Sequence, residues 1–245
     1  MMLEVKGVSK HFGGVKALNN VSMNLRAGEV LALAGDNGAG KSTLIKIISG
    51  VHAPDTGSLA YQDQPLHANS PLQARNLGIE TIYQDLALAD NLDVGANIFL
   101  GREPMKSFLG MTQIIDRQRM LKESREVLHS LDIEIPESSL EQPVRNLSGG
   151  QRQAIAISRA IYWNAKLLIM DEPTAALGVP EQRKVLELID KLRTQKIGII
   201  FISHNLNDIF AASDRILILR QGRVVGESKI NETSREKVVS QMVSG

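Results

Sequence analysis

Apolar runs of strand length alternate with helical patterns along most of the chain. The runs at residues 29–34, 165–171 and 197–203 are almost continuously apolar, which is typical of strands buried on both faces. Residues 79–83 form a further candidate strand. Apolar residues recur at helical spacing in residues 43–48, 116–131, 151–162, 181–192 and 205–212. Strands that alternate with helices predict an α/β fold, a three-layer core with a mostly parallel sheet.

The remaining patterns predict additions to this core. Residues 3–25 indicate two strands around the Gly13-Gly14 turn and therefore an N-terminal antiparallel β subdomain. Residues 215–225 indicate a hairpin around Gln221-Gly222. The segment from about residue 85 to residue 163 is mainly helical, so we expect a helical subdomain inserted in the core. We expect one domain over residues 1–245.

A glycine-rich loop, residues 35–42 and called the phosphate loop below, lies between the first buried strand and a helix. It fits the pattern G-x-x-x-x-G-K-[ST] in the context that the pattern requires. Glycines let backbone N–H groups and the helix N-terminus converge on a phosphate chain, with Lys41 on the β- and γ-phosphates and the Ser42 hydroxyl on Mg²⁺. The alternative is an ordinary glycine-rich turn. The predicted contacts are Gly35, Asp36, Asn37, Gly38, Ala39, Gly40, Lys41, Ser42 and Thr43.

Two carboxylates follow the buried run at residues 165–171. Asp171 falls at the carboxyl end of a strand, where open α/β sheets bind ligands, and is predicted to hold Mg²⁺, through water. Glu172 is not needed as a ligand and is suited to polarise an attacking water. A solvated loop pair before Pro173 is the alternative, which the phosphate loop disfavours.

Two more polar residues end candidate strands. His204 follows the run at residues 197–203, and there it can donate a hydrogen bond near the γ-phosphate and orient Glu172 or the water. Gln84 ends the strand before the helical segment and offers an amide to water or metal. A structural histidine and a surface glutamine are the alternatives for these two positions.

A second helix start carries small residues that can face an anion. In the signature segment, residues 147–151, Ser148 can cap the following helix, and Gly149 and Gly150 leave backbone N–H groups open before Gln151. A simple capped helix is the alternative. Because one nucleotide seldom needs two such sites in one chain, a two-fold dimer that pairs this segment with the partner's phosphate loop is favoured.

Composition excludes several classes of function. A formal net charge of +1 and an aromatic content of 4% give no basis for nucleic-acid binding. There are no cysteines, which excludes disulfides and thiolate chemistry. The sequence contains no stretch of about eighteen apolar residues, so no membrane span is predicted.

These motifs, in this order, resemble the ATP-binding subunit of an ABC transporter over essentially the whole chain. The resemblance implies ATP and Mg²⁺ as ligands, and it makes Gln84 the Q-loop, residues 167–171 the Walker B strand and Glu172 the general base. His204 becomes the switch histidine. Phe12, which from the sequence alone is a packing residue or an adenine-stacking ring, falls where the family stacks adenine.

The amino-acid sequences of residues 83–103 and 172–177 are similar to those of bacterial monosaccharide importers of the ribose, xylose or fructose kind. This resemblance implies a Mg-dependent ATPase that works as a homodimer or paired subunits on a transmembrane permease, and indirectly with a periplasmic sugar-binding protein. It places the chain at the cytoplasmic face of the inner membrane, peripherally and without nucleic acid.

Two features depart from the family. Many members of the branch are fused double cassettes, whereas this chain carries one set of motifs. Gly178 stands where the family usually has an aspartate that couples the two sites of a dimer. The other function classes are a soluble ABC-type ATPase of DNA repair or translation, for which no coiled coil, second cassette or basic patch is seen, and a regulatory module without turnover, which Glu172 and His204 oppose.

Overall fold

A computed structural model of the chain describes residues 1–108 and 112–244. The chain forms two compact units. Unit 1 comprises Met1–Gln84, Ala165–Ala175 and Ile189–Gly245, and unit 2 comprises Asp85–Asn164 and Ala176–Leu188. No helix within the described ranges is both long and apolar enough to cross a bilayer.

The elements alternate between strand and helix. The strands are β1 Leu3–Phe12, β2 Val15–Leu25, β3 Val30–Ala34, β4 Thr56–Tyr61, β5 Gln64–Pro65, β6 Ile79–Ile82, β7 Met105–Phe108, β8 Thr112–Ile115, β9 Leu167–Asp171, β10 Gly198–Ile202, β11 Arg215–Arg220 and β12 Arg223–Lys229. The helices are α1 Lys41–Ile48, α2 Pro71–Asn76, α3 Val94–Phe99, α4 Arg117–Ser130, α5 Glu137–Leu140, α6 Gly149–Tyr162, α7 Val179–Thr194, α8 Leu206–Ala212 and α9 Arg235–Ser244. Two short 3₁₀ turns, Val144–Asn146 and Ile230–Glu232, complete them.

A six-stranded sheet lies at the centre of unit 1, in the order β12-β11-β3-β10-β9-β6. All neighbours pair in parallel except the β11–β12 hairpin, which confirms the predicted mostly parallel sheet. β3 and β10 are buried at every position, as their continuous apolar sequences require. In register, Ile202 of β10 faces Leu33 of β3 on one side and Asp171 of β9 on the other. The residues that follow these strands therefore emerge at one edge of the sheet.

The predicted N-terminal antiparallel sheet is also confirmed. It has four strands in the order β2-β1-β4-β5. Its inner face and α1 share one hydrophobic cluster, which buries Leu3, Val5, Leu18, Val21, Leu25, Leu44, Ile45 and Ile48 among others. Since α1 begins at the phosphate loop, this cluster fixes the start of that helix on the sheet.

Unit 2 is built around α3, α4 and α6. Phe99 of α3 is fully buried and packs with its ring centroid 4.5 Å from that of Tyr162 and 6.1 Å from that of Trp163. The indole N–H of Trp163 donates a hydrogen bond of 2.9 Å to the carbonyl of Ile98. The helices predicted at residues 116–131 and 151–162 are present as α4 and α6.

Unit 2 also contains the antiparallel hairpin β7–β8, inside a segment whose sequence suggested helices. All four positions of β8 are exposed, so this strand buries no alternating apolar face. That alternation is the signal by which a strand is recognised in a sequence, and its absence explains why the hairpin was not predicted.

Candidate functional site

The phosphate loop connects β3 to α1, as the sequence predicts. Gly35, Gly38 and Gly40 have φ of 146°, 80° and 107°, in the region that favours glycine. α1 begins directly after Gly40, and no side chain caps its N-terminus. Backbone N–H groups of its first turn are therefore left to an anionic ligand. Ala39 is buried, whereas Asp36, Asn37, Gly38 and Ser42 are exposed.

The loop glycines are required by their surroundings as well as by their dihedral angles. A Cβ atom on Gly35 would lie 2.2 Å from the carbonyl oxygen of Leu219, and one on Gly40 would lie 2.8 Å from that of Ala17. Both obstacles are backbone atoms, which cannot move aside as a flexible side chain can. The loop is consequently held against β2 and β11 in one conformation.

This packing gives a stability prediction. Gly35→Ala is expected to lower the free energy of unfolding by about 2–4 kcal/mol, because the new methyl group collides with backbone at a strained φ. Gly14→Ala is the matched control, since no atom lies within 4 Å of a Cβ at that position; its effect is expected to stay within about 0.5 kcal/mol. Urea unfolding of both variants is the measurement, and equal midpoints would contradict the prediction.

Lys41 reaches back over the loop that precedes it. Its Nζ donates hydrogen bonds of 2.5 Å to the carbonyl of Gly35 and 3.1 Å to that of Asp36. Burial lowers the pKa of Lys41, while the negative charges of Glu172, Asp171 and Asp36 oppose that shift. The ammonium group therefore lies among carbonyls and carboxylates, in a place where a phosphate group can become its partner.

Asp171 and Glu172 stand at the carboxyl end of β9. Burial raises the pKa of Asp171, the charge of Glu172 raises it further, and Lys41 partly counteracts both. Glu172 has a left-handed φ of 54°, and its N–H donates a 2.9 Å hydrogen bond to the carbonyl of Ile202. Such a conformation is costly for a residue with a Cβ, and strain of this kind clusters at functional sites.

The pKa of Asp171 leads to a prediction about stability and pH. A raised pKa means that the folded state binds the proton more tightly than the unfolded state, so the ionised carboxylate weakens the fold above its usual pKa of 3.8. Without ligand at neutral pH, Asp171→Asn is expected to unfold at a higher urea concentration than the wild type. The gain should shrink as the pH falls towards 3.8, where the wild-type carboxyl is protonated as well. The same change at the exposed Asp63 is the control, and a lower midpoint for Asp171→Asn at neutral pH would contradict the argument.

His204 contacts the carboxylate that was predicted to activate water. Its Nδ1 lies 2.8 Å from Oε2 of Glu172; the histidine side chain is 79% exposed and that of the glutamate 17%. The register of β9 and β10 explains this proximity, since each residue follows the end of its strand. The structure thus brings His204 to Glu172, and the predicted place of His204 near the γ-phosphate stays a prediction.

Two further residues connect the loops of Glu172 and His204, and no motif in the sequence indicates them. The hydroxyl of Thr174 donates a 2.7 Å hydrogen bond to the carboxylate of Asp208 on α8, and both side chains are buried. A buried bond of this kind holds the segments after β9 and β10 at a fixed distance. Thr174 and Asp208 are 34 positions apart in sequence, and no local pattern connects them.

The remaining predicted residues of unit 1 lie at the surface. Gln84 follows β6, the strand next to β9, and is exposed. Phe12 ends β1 and is 44% exposed. Its ring meets that of His52 edge-on at 5.2 Å, and the Lys10 ammonium lies 5.7 Å from its centroid. An exposed ring at the end of a strand is available to stack on a ligand.

The signature segment belongs to unit 2, whereas the phosphate loop belongs to unit 1. Ser148 caps α6 in a reciprocal capping box with Gln151, as the sequence suggested. A Cβ on Gly149 would lie 2.8 Å from Cδ2 of Leu177, and one on Gly150 would lie 2.8 Å from Cγ of Glu181. Both glycines thus allow the segment around residues 177–181 to pack closely against the start of α6.

Gly178, the departure from the family pattern, is also close to Glu181. A Cβ on Gly178 would lie 2.7 Å from Oε2 of Glu181. An aspartate at this position would therefore bring a second carboxylate next to an existing one. The space that the family fills with aspartate is partly taken here by the side chain of Glu181.

No group of three or more His, Asp or Glu side chains that could hold a metal by itself occurs in residues 1–108 and 112–244. Asp171 and Ser42 do fit Mg²⁺ in a different way. Mg²⁺ is usually bound by one or two protein oxygens together with water and substrate phosphates. A single carboxylate near the phosphate loop, with Lys41 beside it, is the donor set expected for a metal that arrives with a nucleotide.

Comparison with protein families and curated proteins gives consistent results. A family model described as "ABC transporter" matches residues 18–175. The xylose/arabinose import ATP-binding protein of Sulfolobus acidocaldarius is 49% identical over 99% of this chain and 94% of its own length. The fructose import ATP-binding protein of Rhizobium meliloti is 46% identical over 91% of this chain and 86% of its own. The ribose import ATP-binding protein of Caldanaerobacter subterraneus is 41% identical, and there the chain spans only 47% of the relative.

Solved structures of ATP-binding cassettes resemble this chain over nearly its whole length. A nucleotide-free ATP-binding cassette of an ABC transporter superposes with a TM-score of 0.85 at 26% identity, covering 100% of this chain and 99% of that one. A dimeric ATP-binding cassette in a post-hydrolysis state, bound to ADP and phosphate, superposes with a TM-score of 0.75 at 26% identity over 94% and 99% of the two chains.

Proposed function

The chain belongs to the ABC transporter family, and from this premise we propose that it is the ATP-hydrolysing subunit of an importer for a simple sugar. The observation that carries the proposal is the contact of Glu172 with His204, in the same unit as Asp171 and Lys41. This set combines a phosphate-binding cation, a metal ligand and a base, which are the parts that phosphoryl transfer to water requires.

The nucleotide is bound by residues of unit 1. The N–H groups of residues 35–43 and the N-terminus of α1 hold the β- and γ-phosphates, and Lys41 exchanges its loop carbonyls for phosphate oxygens. Phe12 stacks on the adenine ring. Ser42, Gln84 and Asp171 would hold Mg²⁺, directly or through water, and the bound ion would supply positive charge beside the phosphates.

Hydrolysis depends on Glu172 and His204. Glu172 accepts a proton from the attacking water, because its carboxylate is the one next to the phosphate loop that is not required by the metal. His204 orients that carboxylate through its Nδ1, 2.8 Å from Oε2 of Glu172. The backbone strain at Glu172 supports a functional reason for this placement.

A complete site requires two chains. The signature segment and the phosphate loop are two helix starts suited to anions, and a dimer uses both by closing Ser148, Gly149 and Gly150 of one protomer over the γ-phosphate held by the other. The dimeric state of a similar cassette supports this arrangement. With Gly178 in place of aspartate, we expect weak coupling between the two sites.

Transport requires a membrane subunit that this chain contacts. We propose that closure and opening of the dimer are transmitted through Gln84 and residues 85–103, where Leu100 exposes 46% of its surface. The chain then lies peripherally at the cytoplasmic face of the inner membrane, below a separate permease that receives sugar from a periplasmic binding protein. The names of relatives that import xylose, arabinose, fructose and ribose support a monosaccharide.

The decisive experiment is reconstitution of the chain with a permease into vesicles that contain ATP. Uptake of labelled xylose, arabinose, ribose and fructose is compared with and without hydrolysable nucleotide. ATP-dependent uptake of one of these sugars is expected. ATP hydrolysis without uptake of any sugar, by a complex that has assembled, would favour the alternative of an ABC-type ATPase outside transport.

A further inference from the structure

We propose that Asp55 is a positioning residue for nucleotide binding, which holds the aromatic ring of Phe12 in place to stack on the base. The inference rests on the proposed nucleotide function. Asp55 lies in the turn before β4, and this turn contains none of the nucleotide-binding motifs described above.

The Asp55 carboxylate binds the two residues that immediately precede Phe12. One oxygen accepts a 2.7 Å hydrogen bond from Nζ of Lys10. The other accepts a 2.6 Å hydrogen bond from the backbone N–H of His11 and lies 3.2 Å from its ring Nδ1. The backbone N–H of Asp55 in turn donates to the carbonyl of Ser9 at 2.9 Å. These contacts lower the pKa of Asp55 to about 2, so the carboxylate is ionised at neutral pH.

The sheet is irregular just before Phe12, although His11 and Phe12 still pair with Lys16 and Val15 of β2. The pairing of β1 with β2 is irregular between Val8 and Lys10 and again between Lys10 and His11. Phe12 lies beyond both irregularities, half exposed, at the end of the strand. Regular ladder hydrogen bonds would fix the direction of a side chain, but bulges turn the strand and re-aim its residues. The carboxylate of Asp55 adds a restraint at the irregular part of this ladder.

Asp55 also connects both groups that touch the ring. The ammonium of Lys10 lies 5.7 Å from the Phe12 centroid and forms an ion pair with Asp55. His52, which meets the ring edge-on with an interplanar angle of 66°, belongs to the same turn. An edge-on neighbour restrains a ring without stacking against its face. Removal of the carboxylate would therefore release the strand end, the cation and the ring together.

The test compares a ligand that has a base with one that lacks it. Dissociation constants of ATP and of inorganic tripolyphosphate are measured for the wild type, Asp55→Ala, Asp55→Asn and Phe12→Ala. Phe12→Ala is expected to raise the dissociation constant of ATP about tenfold, as the loss of one stacked base predicts. Asp55→Ala is expected to raise the dissociation constant of ATP about three- to tenfold, and Asp55→Asn is expected to raise it less. The dissociation constant of tripolyphosphate is expected to stay unchanged in all of these variants.

Two further variants decide how Asp55 acts. In a Phe12→Ala background, Asp55→Ala is expected to have no additional effect on ATP, since the ring it positions is gone. The control is Asp63→Ala, which removes an exposed ion pair with the N-terminus at 2.9 Å in the same sheet and is expected to leave both ligands unaffected.

Three results would overturn the inference: an equal loss of ATP and tripolyphosphate binding in both Asp55 variants, an undiminished loss in the Phe12→Ala background, or unchanged ATP binding in Asp55→Ala. Failure of the proposed nucleotide stacking is a different outcome. It is recognised by Phe12→Ala binding ATP as tightly as the wild type, which would remove the ring that Asp55 is inferred to position.

Discussion

Glu172→Gln is expected to lower the rate of ATP hydrolysis by about two to three orders of magnitude while ATP still binds. Glutamine keeps the size of the side chain and an oxygen that can face His204 Nδ1, but it cannot accept a proton from water. Lys41 and the loop N–H groups remain unchanged, so the phosphates keep their partners. Because the nucleotide binds but is not hydrolysed, the variant should accumulate as an ATP-bound dimer in the presence of Mg²⁺.

Turnover and oligomeric state with Mg-ATP are the measurements for this variant. Glu187→Gln, an exposed position on α7, is the matched control and should hydrolyse ATP as the wild type does. Equal turnover in Glu172→Gln and the wild type would assign the role of base to another residue. If Glu172→Gln loses turnover and binds ATP but stays monomeric, the role of Glu172 as the base is supported and the proposed ATP-bound dimer is contradicted.

The sheet and the position of the site could be predicted from the sequence because they depend on strong, local patterns. β3, β9 and β10 are nearly continuous in apolar residues, and only a strand buried on both faces suits such a run. Asp171 ends β9, Glu172 directly follows it, and His204 comes two positions after the end of β10. Since parallel strands end at one edge of a sheet, the sequence predicts that Asp171, Glu172 and His204 converge.

Contacts between side chains distant in sequence could not be predicted in the same way. Asp55 and Lys10 are 45 positions apart, and Thr174 and Asp208 are 34 apart. Each pair consists of ordinary polar residues whose meeting depends on how a turn and a strand end are placed. The hairpin β7–β8 could not be predicted for another reason, because β8 is exposed throughout and shows no period of two in apolar residues.

Mixing two inactive variants, Lys41→Ala and Ser148→Glu, is expected to restore ATP hydrolysis. Lys41→Ala removes the phosphate-binding cation of its own chain, and Ser148→Glu places a negative charge on the segment that closes over the partner's γ-phosphate. In a mixed dimer, one site then carries both defects and the other carries neither. With random pairing, half of the dimers contain one intact site of two, so activity should reach about a quarter of the wild-type value.

The control mixture combines Lys41→Ala with Glu172→Gln. Both changes affect the residues that one chain contributes from unit 1, so each site of the mixed dimer keeps a defect and no activity should return. Ser234→Glu tests whether a glutamate at a helix start is harmful in itself, because Ser234 accepts from Lys237 N–H at 3.3 Å as Ser148 does from Gln151. If both mixtures stay inactive although mixed dimers form, each site is contained in one chain. Recovery in the first mixture alone requires the signature segment of one protomer to act on the nucleotide of the other, since no other pairing leaves a site intact.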